Sequence, residues 1–135
     1  MNPVTRRLLD EIDDPQLAAF ALAWDELEEC LVGIYRDRTC SPRVERRYAD
    51  LRSSAEKGLG KWEKALRRHW LATRINGTPP AQSPFRSVVA VQRPGDVIDD
   101  RAMMRTLPAA REALNNLLLE RGGRSEPPGT LLRRR

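Results

Sequence analysis

Residues 41–74 read SPRVERRYADLRSSAEKGLGKWEKALRRHWLATR, and this stretch decides how the chain folds. On a helix of 3.6 residues per turn, its apolar residues fall within one arc of roughly 100°. Ser41 suits the N-cap, Pro42 the first helical position, and the Asn76 and Gly77 pair the stop. The pattern predicts a helix about 50 Å long with one face in a core. That face holds Val44, Tyr48, Leu51, Ala55, Leu59, Trp62, Leu66 and Trp70.

Basic residues gather on a second arc of the same helix. Like charges along one helix face repel each other unless something negative neutralises them. Three neutralising partners are available: the acidic N-terminal part of this chain, a nucleic-acid backbone, or an acidic protein. A purely solvated face is the remaining interpretation. Arg47 borders the core face and is expected to pair within the chain, whereas the others are expected to stay free: Arg43, Arg46, Lys57, Lys61, Lys64 and Arg68.

Two glycines interrupt the helical pattern. Gly58 and Gly60 each weaken a helix interior by up to ~1 kcal/mol relative to alanine. Their presence therefore predicts either a close contact with a neighbouring helix or a kink.

Residues 15–37 form a second amphipathic pattern, which begins after Asp14 and Pro15 and ends near Asp37. The connection at 38–40 is short, and short connections produce antiparallel neighbours. The chain therefore predicts a helical hairpin of 15–37 against 41–74. The apolar positions of the second pattern are Leu17, Phe20, Ala21, Trp24, Leu27, Leu31, Ile34 and Tyr35.

The symmetry of this hairpin makes specific contacts expected. Phe20 should lie near Gly58 or Gly60, so that a missing side chain makes room for the ring, and Trp24 should lie near Ala55. Glu28 should come within reach of Arg47 or Arg52. Asp25, Glu26 and Glu29 are expected on the outward face of the first arm. Before the hairpin, a short helix opened by Asn2 and Pro3 should place Leu8, Leu9 and Ile12 on one side.

Residues 76–96 change character, with four prolines, two glycines and one apolar island. A connection of this length usually marks function or disorder. The run 88–91 has strand-forming composition, which would suit addition to the sheet edge of a partner. Alternatively, the island covers the open side of the hairpin. The candidate protein interface comprises Phe85, Val88, Val89 and Val91.

The last helical pattern has acids at its start and an apolar face that includes Met103 and Leu114. Pro108 removes one helical hydrogen bond and clashes with the preceding turn, so we expect two helices, 97–106 and 108–121. Gly122 and Gly123 should end the second one. Residues 123–135 are expected to form a flexible basic tail ending in Arg133, Arg134 and Arg135.

Length and composition favour a single all-α domain at 1–122, a small helical bundle in which the hairpin is closed by a Pro-interrupted third segment. Residues 1–40 carry four arginines and nine acids, a net charge of −5, whereas 41–75 carry +6 and 76–135 carry +4. No apolar run is long enough to span a membrane, and the N-terminus lacks the pattern of a secretory signal. Cys30 and Cys40 are too few for a disulfide framework, so reduced thiols and a cytoplasmic location are expected.

Motifs for catalysis, metal binding or phosphate-loop binding are missing from the sequence. The single histidine, His69, borders the apolar arc and is interpreted as a packed or surface ring, not as a catalytic base. We therefore expect no enzyme activity, no cofactor and no metal site. The three tryptophans fall on apolar arcs and are expected in the core.

The functional expectation is a non-catalytic accessory or adaptor subunit of a larger assembly. Its basic helix face would contact an acidic partner, most favourably an RNA or DNA backbone without base specificity. The alternative is a protein-interaction module or homo-oligomeric scaffold with no nucleic-acid role. The candidate binding residues are Arg43, Arg46, Lys57, Lys61, Lys64, Arg68, Arg133, Arg134 and Arg135.

Overall fold

The computed structural model describes residues 3–73, 82–94 and 100–122. In these ranges the regular elements are helices, which confirms the predicted all-α bundle. The predicted tail at 123–135, with its three terminal arginines, lies outside the described residues, as do 74–81 of the long loop and the expected helix start at 96–99. The helices are α1 (Pro3–Asp10), α2 (Pro15–Asp37), α3 (Pro42–Ala72), α4 (Pro84–Val89) and α5 (Asp100–Gly122).

The ends of the hairpin helices follow from local capping chemistry. Asp14 accepts hydrogen bonds from the backbone N–H groups of the next helix at 3.1 Å, and Ser41 Oγ accepts from the N–H of Val44 at 3.2 Å. Arg38 ends α2 in the left-handed conformation with φ of 57°. Thr73 is the C-cap of α3, and its extended backbone leaves the helix. Its hydroxyl donates to the carbonyl of Trp70. These caps satisfy backbone groups that a bare helix end leaves unpaired.

The hairpin is antiparallel, as predicted, and its two arms share one core with α5. Trp24 is fully buried, and so is Ala55 on the opposite arm. The short α1 contributes a buried Leu8, with Leu9 and Ile12 partly buried against the same core. The sorting of apolar residues along α1, α2 and α3 thus follows the pattern that their sequences predict.

Gly58 marks the closest approach of the two hairpin arms. A Cβ atom placed on Gly58 would lie 2.5 Å from Cδ1 and 3.2 Å from Cβ of Phe20. The predicted close contact is therefore confirmed at Gly58, and α3 runs through it as one helix. Gly60 behaves differently, because a Cβ there meets no atom within 4 Å.

Replacing Gly58 with alanine should lower the free energy of unfolding by about 1–2 kcal/mol, because crowding of the Phe20 ring outweighs the gain in helix propensity. The matched variant Gly60→Ala should raise it by up to about 1 kcal/mol, because that position is open. Urea denaturation followed by circular dichroism measures both changes. Equal effects of the two substitutions would show that the Phe20 ring can move aside without lowering the free energy of unfolding.

The last described helix, α5, is continuous through Pro108, so the expected division into two helices is wrong. Proline removes one hydrogen bond, and within a helix it costs about 3 kcal/mol. The helix persists because Leu107 on one side of the proline and Ala110 on the other are both buried in the core. Pro108 itself is exposed on the outer side of the helix.

The apolar island forms the short helix α4 and not a strand, so the interpretation of 88–91 as a strand that adds to a partner's sheet is wrong. Ser83 Oγ caps it by accepting from the N–H of Arg86 at 3.2 Å. The alternative interpretation is confirmed: α4 packs against α3 and α5 and covers the hairpin. Just beyond it, the hydroxyl of Tyr48 donates to the carbonyl of Val91 at 2.6 Å.

The candidate protein interface within α4 is consequently not an exposed surface. Phe85 and Val88 are fully buried and Val89 nearly so, while Val91 is partly buried against the same core. The interface interpretation assumed that these residues are left uncovered, because the hairpin alone leaves an apolar side open. In the folded chain, these same residues cover the apolar side of the hairpin.

A buried ionic cluster joins α5 to α1 and α2. Arg111 Nη2 lies 2.9 Å from Asp25 Oδ1 and 2.7 Å from Glu28 Oε2, while its Nε donates to Glu28 Oε1 at 3.2 Å. Its Nη1 donates to Thr5 Oγ1 at 2.7 Å, and that hydroxyl donates to Asn115 Oδ1 at 2.8 Å. Five side chains from three helices therefore form one hydrogen-bonded network.

This cluster corrects two expectations. Asp25 was predicted to face outward and is instead 1% exposed, and Glu28 pairs with Arg111 instead of an arginine on α3. Both expectations considered only the hairpin, whereas α5 covers this side of α2. Burial raises the pKa of Glu28, although the hydrogen bond from Arg111 opposes that change. Arg52, the other expected partner, donates to the carbonyl of Val89 at 3.0 Å.

Candidate functional site

The basic face of α3 is a row of cations on the solvent side of the bundle, interrupted between Arg46 and Lys57 by the exposed Asp50 and Ser54. The opposite side of α3 is buried against α2, α4 and α5, and it carries Tyr48, Leu59 and Leu66. Because one side of the helix is buried, the residues on the other side all point to solvent. At 1.5 Å per residue, the row extends over about 37 Å. We define the basic face as Arg43, Arg46, Lys57, Lys61, Lys64 and Arg68, each of which is exposed.

Most of the basic face has no carboxylate partner within the described ranges. The side chains of Arg43, Arg46, Lys57 and Lys64 make no ion pair or hydrogen bond with any described residue. Lys61 places its ammonium 5.4 Å from the centre of the Trp62 ring, a cation–π contact that leaves the charge uncompensated. The repulsion expected from the sequence is therefore retained in the folded chain.

Arg47, at the border of the basic face, forms an ion pair within the chain, as predicted. Arg47 Nη2 lies 3.6 Å from Glu26 Oε2 across the hairpin. Both side chains are largely exposed, so this ion pair contributes little to stability. Its effect is to remove Arg47 from the charge that the row presents.

Arg68 differs from the expectation that it stays free, because it donates a hydrogen bond to Glu120 of α5. His69 Nε2 lies 2.7 Å from the same carboxylate oxygen. The Arg68 hydrogen bond holds the pKa of Glu120 below its usual range, and the pKa of Arg68 is raised in return. The helical wheel of α3 could not reveal this partner, because Glu120 lies 52 residues away in sequence.

The remaining titratable side chains of interest in the described residues are His69 and the two cysteines. His69 is mostly buried beside its carboxylate partner. Cys30 and Cys40 are both free, and they line a cleft of about 580 Å³ at the turn of the hairpin. Burial raises the pKa of both thiols, which disfavours the reactive thiolate. Within 3–73, 82–94 and 100–122, no group of three or more His, Cys, Asp or Glu side chains is placed to hold a metal ion.

The tryptophans lie in the core, as the sequence predicts. Trp24 is fully buried, and Trp62 and Trp70 are each 6% exposed. The basic face therefore presents cations without an exposed aromatic platform among them. Such a surface suits contact with phosphates more than stacking on bases.

Comparisons with known proteins add no family. No family model, no curated protein and no solved structure matches this chain. No helix in the described part of the chain combines the length and apolar character needed to cross a membrane.

Proposed function

We propose that this chain is a non-catalytic adaptor whose α3 basic face binds the phosphate backbone of a nucleic acid. The observation that supports it is the exposed row of Arg43, Arg46, Lys57, Lys61 and Lys64, none of which has a carboxylate partner in the described residues. A polyanion neutralises such a row and releases its own condensed counterions, which drives binding.

The arrangement of the row favours the backbone over base edges. Its members come from one face of one helix, so they present a line of positive charge instead of a convergent pocket. Contacts of Lys and Arg with phosphates do not read the base sequence. We therefore expect affinity that depends strongly on salt and weakly on base sequence.

Reversing the charge of the central row tests this proposal. The triple variant Lys57→Glu, Lys61→Glu and Lys64→Glu should reduce the slope of log K against log salt by about 3, one for each lost phosphate contact. Binding at low salt should also weaken strongly, because the three carboxylates would now repel the backbone. Fluorescence anisotropy with labelled RNA and DNA at roughly 50 and 200 mM salt measures this change.

The control reverses three exposed arginines away from the row, Arg6, Arg101 and Arg105, and alters the net charge equally. That variant should keep most of the affinity. Equal losses in both triple variants would indicate attraction by overall charge and would refute a specific face. Binding that the row variant leaves unchanged would refute the proposal outright, and an acidic protein would then be the partner to seek.

A further inference from the structure

A cleft of about 690 Å³ opens between the C-terminal half of α3 and the start of α4. Lys64 lines it and also belongs to the basic face, so the cleft lies directly beside the row of cations. Arg67 and Arg86 line it as well, and the one carboxylate among its described lining residues is that of Glu63. The charges in this cleft therefore favour an anion.

Hydrogen-bond donors in the cleft remain available. Arg86 uses Nε to donate to both carboxylate oxygens of Glu63, each at 3.1 Å. Its two terminal nitrogens donate to none of the residues that the structure describes, and 43% of its side chain is exposed. Lys64 and Arg67 likewise have no described partner. A guanidinium with free terminal nitrogens is well suited to a phosphate oxygen.

Gly60 lines the same cleft and has no packing reason to be glycine. A Cβ there would meet nothing within 4 Å, in contrast to Gly58, whose place is occupied by Phe20. Glycine in a helix interior weakens the helix relative to alanine. The missing side chain at Gly60 therefore has a consequence only for the cleft: it leaves the surface of α3 open to a close approach.

The cleft also has an apolar wall. Leu71 is 48% exposed there, and Trp70 lies beneath it, 6% exposed. A lone phosphate would make no use of such a wall. A ligand that carries both a phosphate and a flat, partly apolar group would contact the cations and the leucine together.

We propose that this cleft binds one nucleotide of a single-stranded nucleic acid. Its phosphate lies at Lys64, Arg67 and Arg86, and its base lies against Leu71 at one end of the cleft. The neighbouring sugar-phosphate of the strand passes over the bare backbone of Gly60 at the other end, about 16 Å from Leu71 along α3. This inference rests on the proposed function and narrows it, since the rest of the strand follows the basic face. A duplex keeps its bases paired and stacked, so only an unpaired strand can place a base in the cleft.

The test compares three labelled ligands of about 12 nucleotides: a single strand, the corresponding duplex and an abasic strand. The full chain should bind the single strand several-fold more tightly than the abasic strand, because loss of the base removes the contact with Leu71. Leu71→Asn should remove this preference while leaving duplex binding unchanged. Gly60→Leu should instead weaken binding of the intact and abasic single strands equally, because its side chain obstructs the neighbouring sugar-phosphate.

Circular dichroism establishes that each variant folds. Leu71 is 48% exposed, so Leu71→Asn should leave the core intact. Arg67→Gln, which removes a cation from the cleft, should weaken single-strand binding several-fold and spare the duplex, whereas Arg105→Gln should change neither. Equal binding of normal and abasic strands, or a preference that survives Leu71→Asn, would overturn the proposal for the cleft without affecting the proposal for the basic face. Absence of all binding at low salt would overturn both proposals.

Discussion

Replacing Arg111 with methionine is expected to lower the free energy of unfolding by about 3–5 kcal/mol at pH 7. The substitution keeps an unbranched, partly apolar side chain but removes the guanidinium and its charge. Asp25 and Glu28 would then lose the guanidinium that both of them contact. A buried ion pair adds little net stability, but a buried charge that has lost its partner is strongly destabilising. Urea denaturation at pH 7 measures the loss.

The loss should diminish as the pH falls. Burial already raises the pKa of Glu28 above its ordinary value of 4.5, and the Arg111 hydrogen bond is the largest influence that lowers it. Without Arg111 the pKa of Glu28 rises further. A carboxyl whose pKa is higher in the folded state favours folding when protonated, and this contribution is lost as the pH rises through the folded-state pKa. The variant should therefore lie closer to the wild type at pH 5 than at pH 7.

Two further variants test the cause of this loss. Arg105→Met removes the same charge from an exposed position of α5 and should change stability by less than about 0.5 kcal/mol. Adding Asp25→Asn and Glu28→Gln to the Arg111→Met chain should restore much of the stability, because no unpaired charge remains. A loss below about 1 kcal/mol, independent of pH, would mean that water reaches the two carboxylates.

Features encoded within one helix, or between the two arms of the hairpin, were predictable from the sequence. Periodicity reports which side of a helix is apolar, and cap residues report where it begins. The contact between Phe20 and Gly58 followed from the short connection, which fixes the register of the arms. Exposure of the basic face followed from the same reasoning, since the core side of α3 determines its opposite side.

Contacts made by α5 were not predictable in this way. Arg111 with Asp25, and Glu120 with Arg68, join residues far apart in the chain. The periodicity of α5 shows that it has an apolar side but not which groove of the hairpin receives that side. The wheel of α2 therefore assigned Asp25 to solvent, although α5 buries it.

The strand interpretation of 88–91 failed for a different reason. A helix of six residues is too short for its periodicity to be distinguished from that of a strand. A signal was nevertheless present, because Ser83 and Pro84 repeat the capping pair Ser41 and Pro42 that opens α3. Caps are local and survive in short helices, and here they were more informative than the strand propensity of valine.

Replacing Phe85 with alanine is expected to lower the free energy of unfolding by about 3–5 kcal/mol. Phe85 is fully buried at the centre of an aromatic cluster, with ring centroids 4.8 Å from Trp24, 6.1 Å from Trp70 and 6.4 Å from Phe20. The substitution would remove these contacts and leave a cavity where α4 covers the hairpin. Urea denaturation again measures the change, and the control Leu119→Ala, at an exposed apolar position, should have a small effect.

The same variant separates the two roles that the sequence allowed for this segment. If Phe85 belongs to the core of its own chain, Phe85→Ala destabilises the monomer and the loss does not depend on protein concentration. If Phe85 instead contacted a second copy, the variant would leave the stability of the monomer unchanged and would shift the mass measured by light scattering from oligomer to monomer. Burial of Phe85 by helices of its own chain supports the first outcome. The second would require α4 to leave the hairpin, exposing Trp24 and Trp70 together, and so would make the monomer itself prone to association.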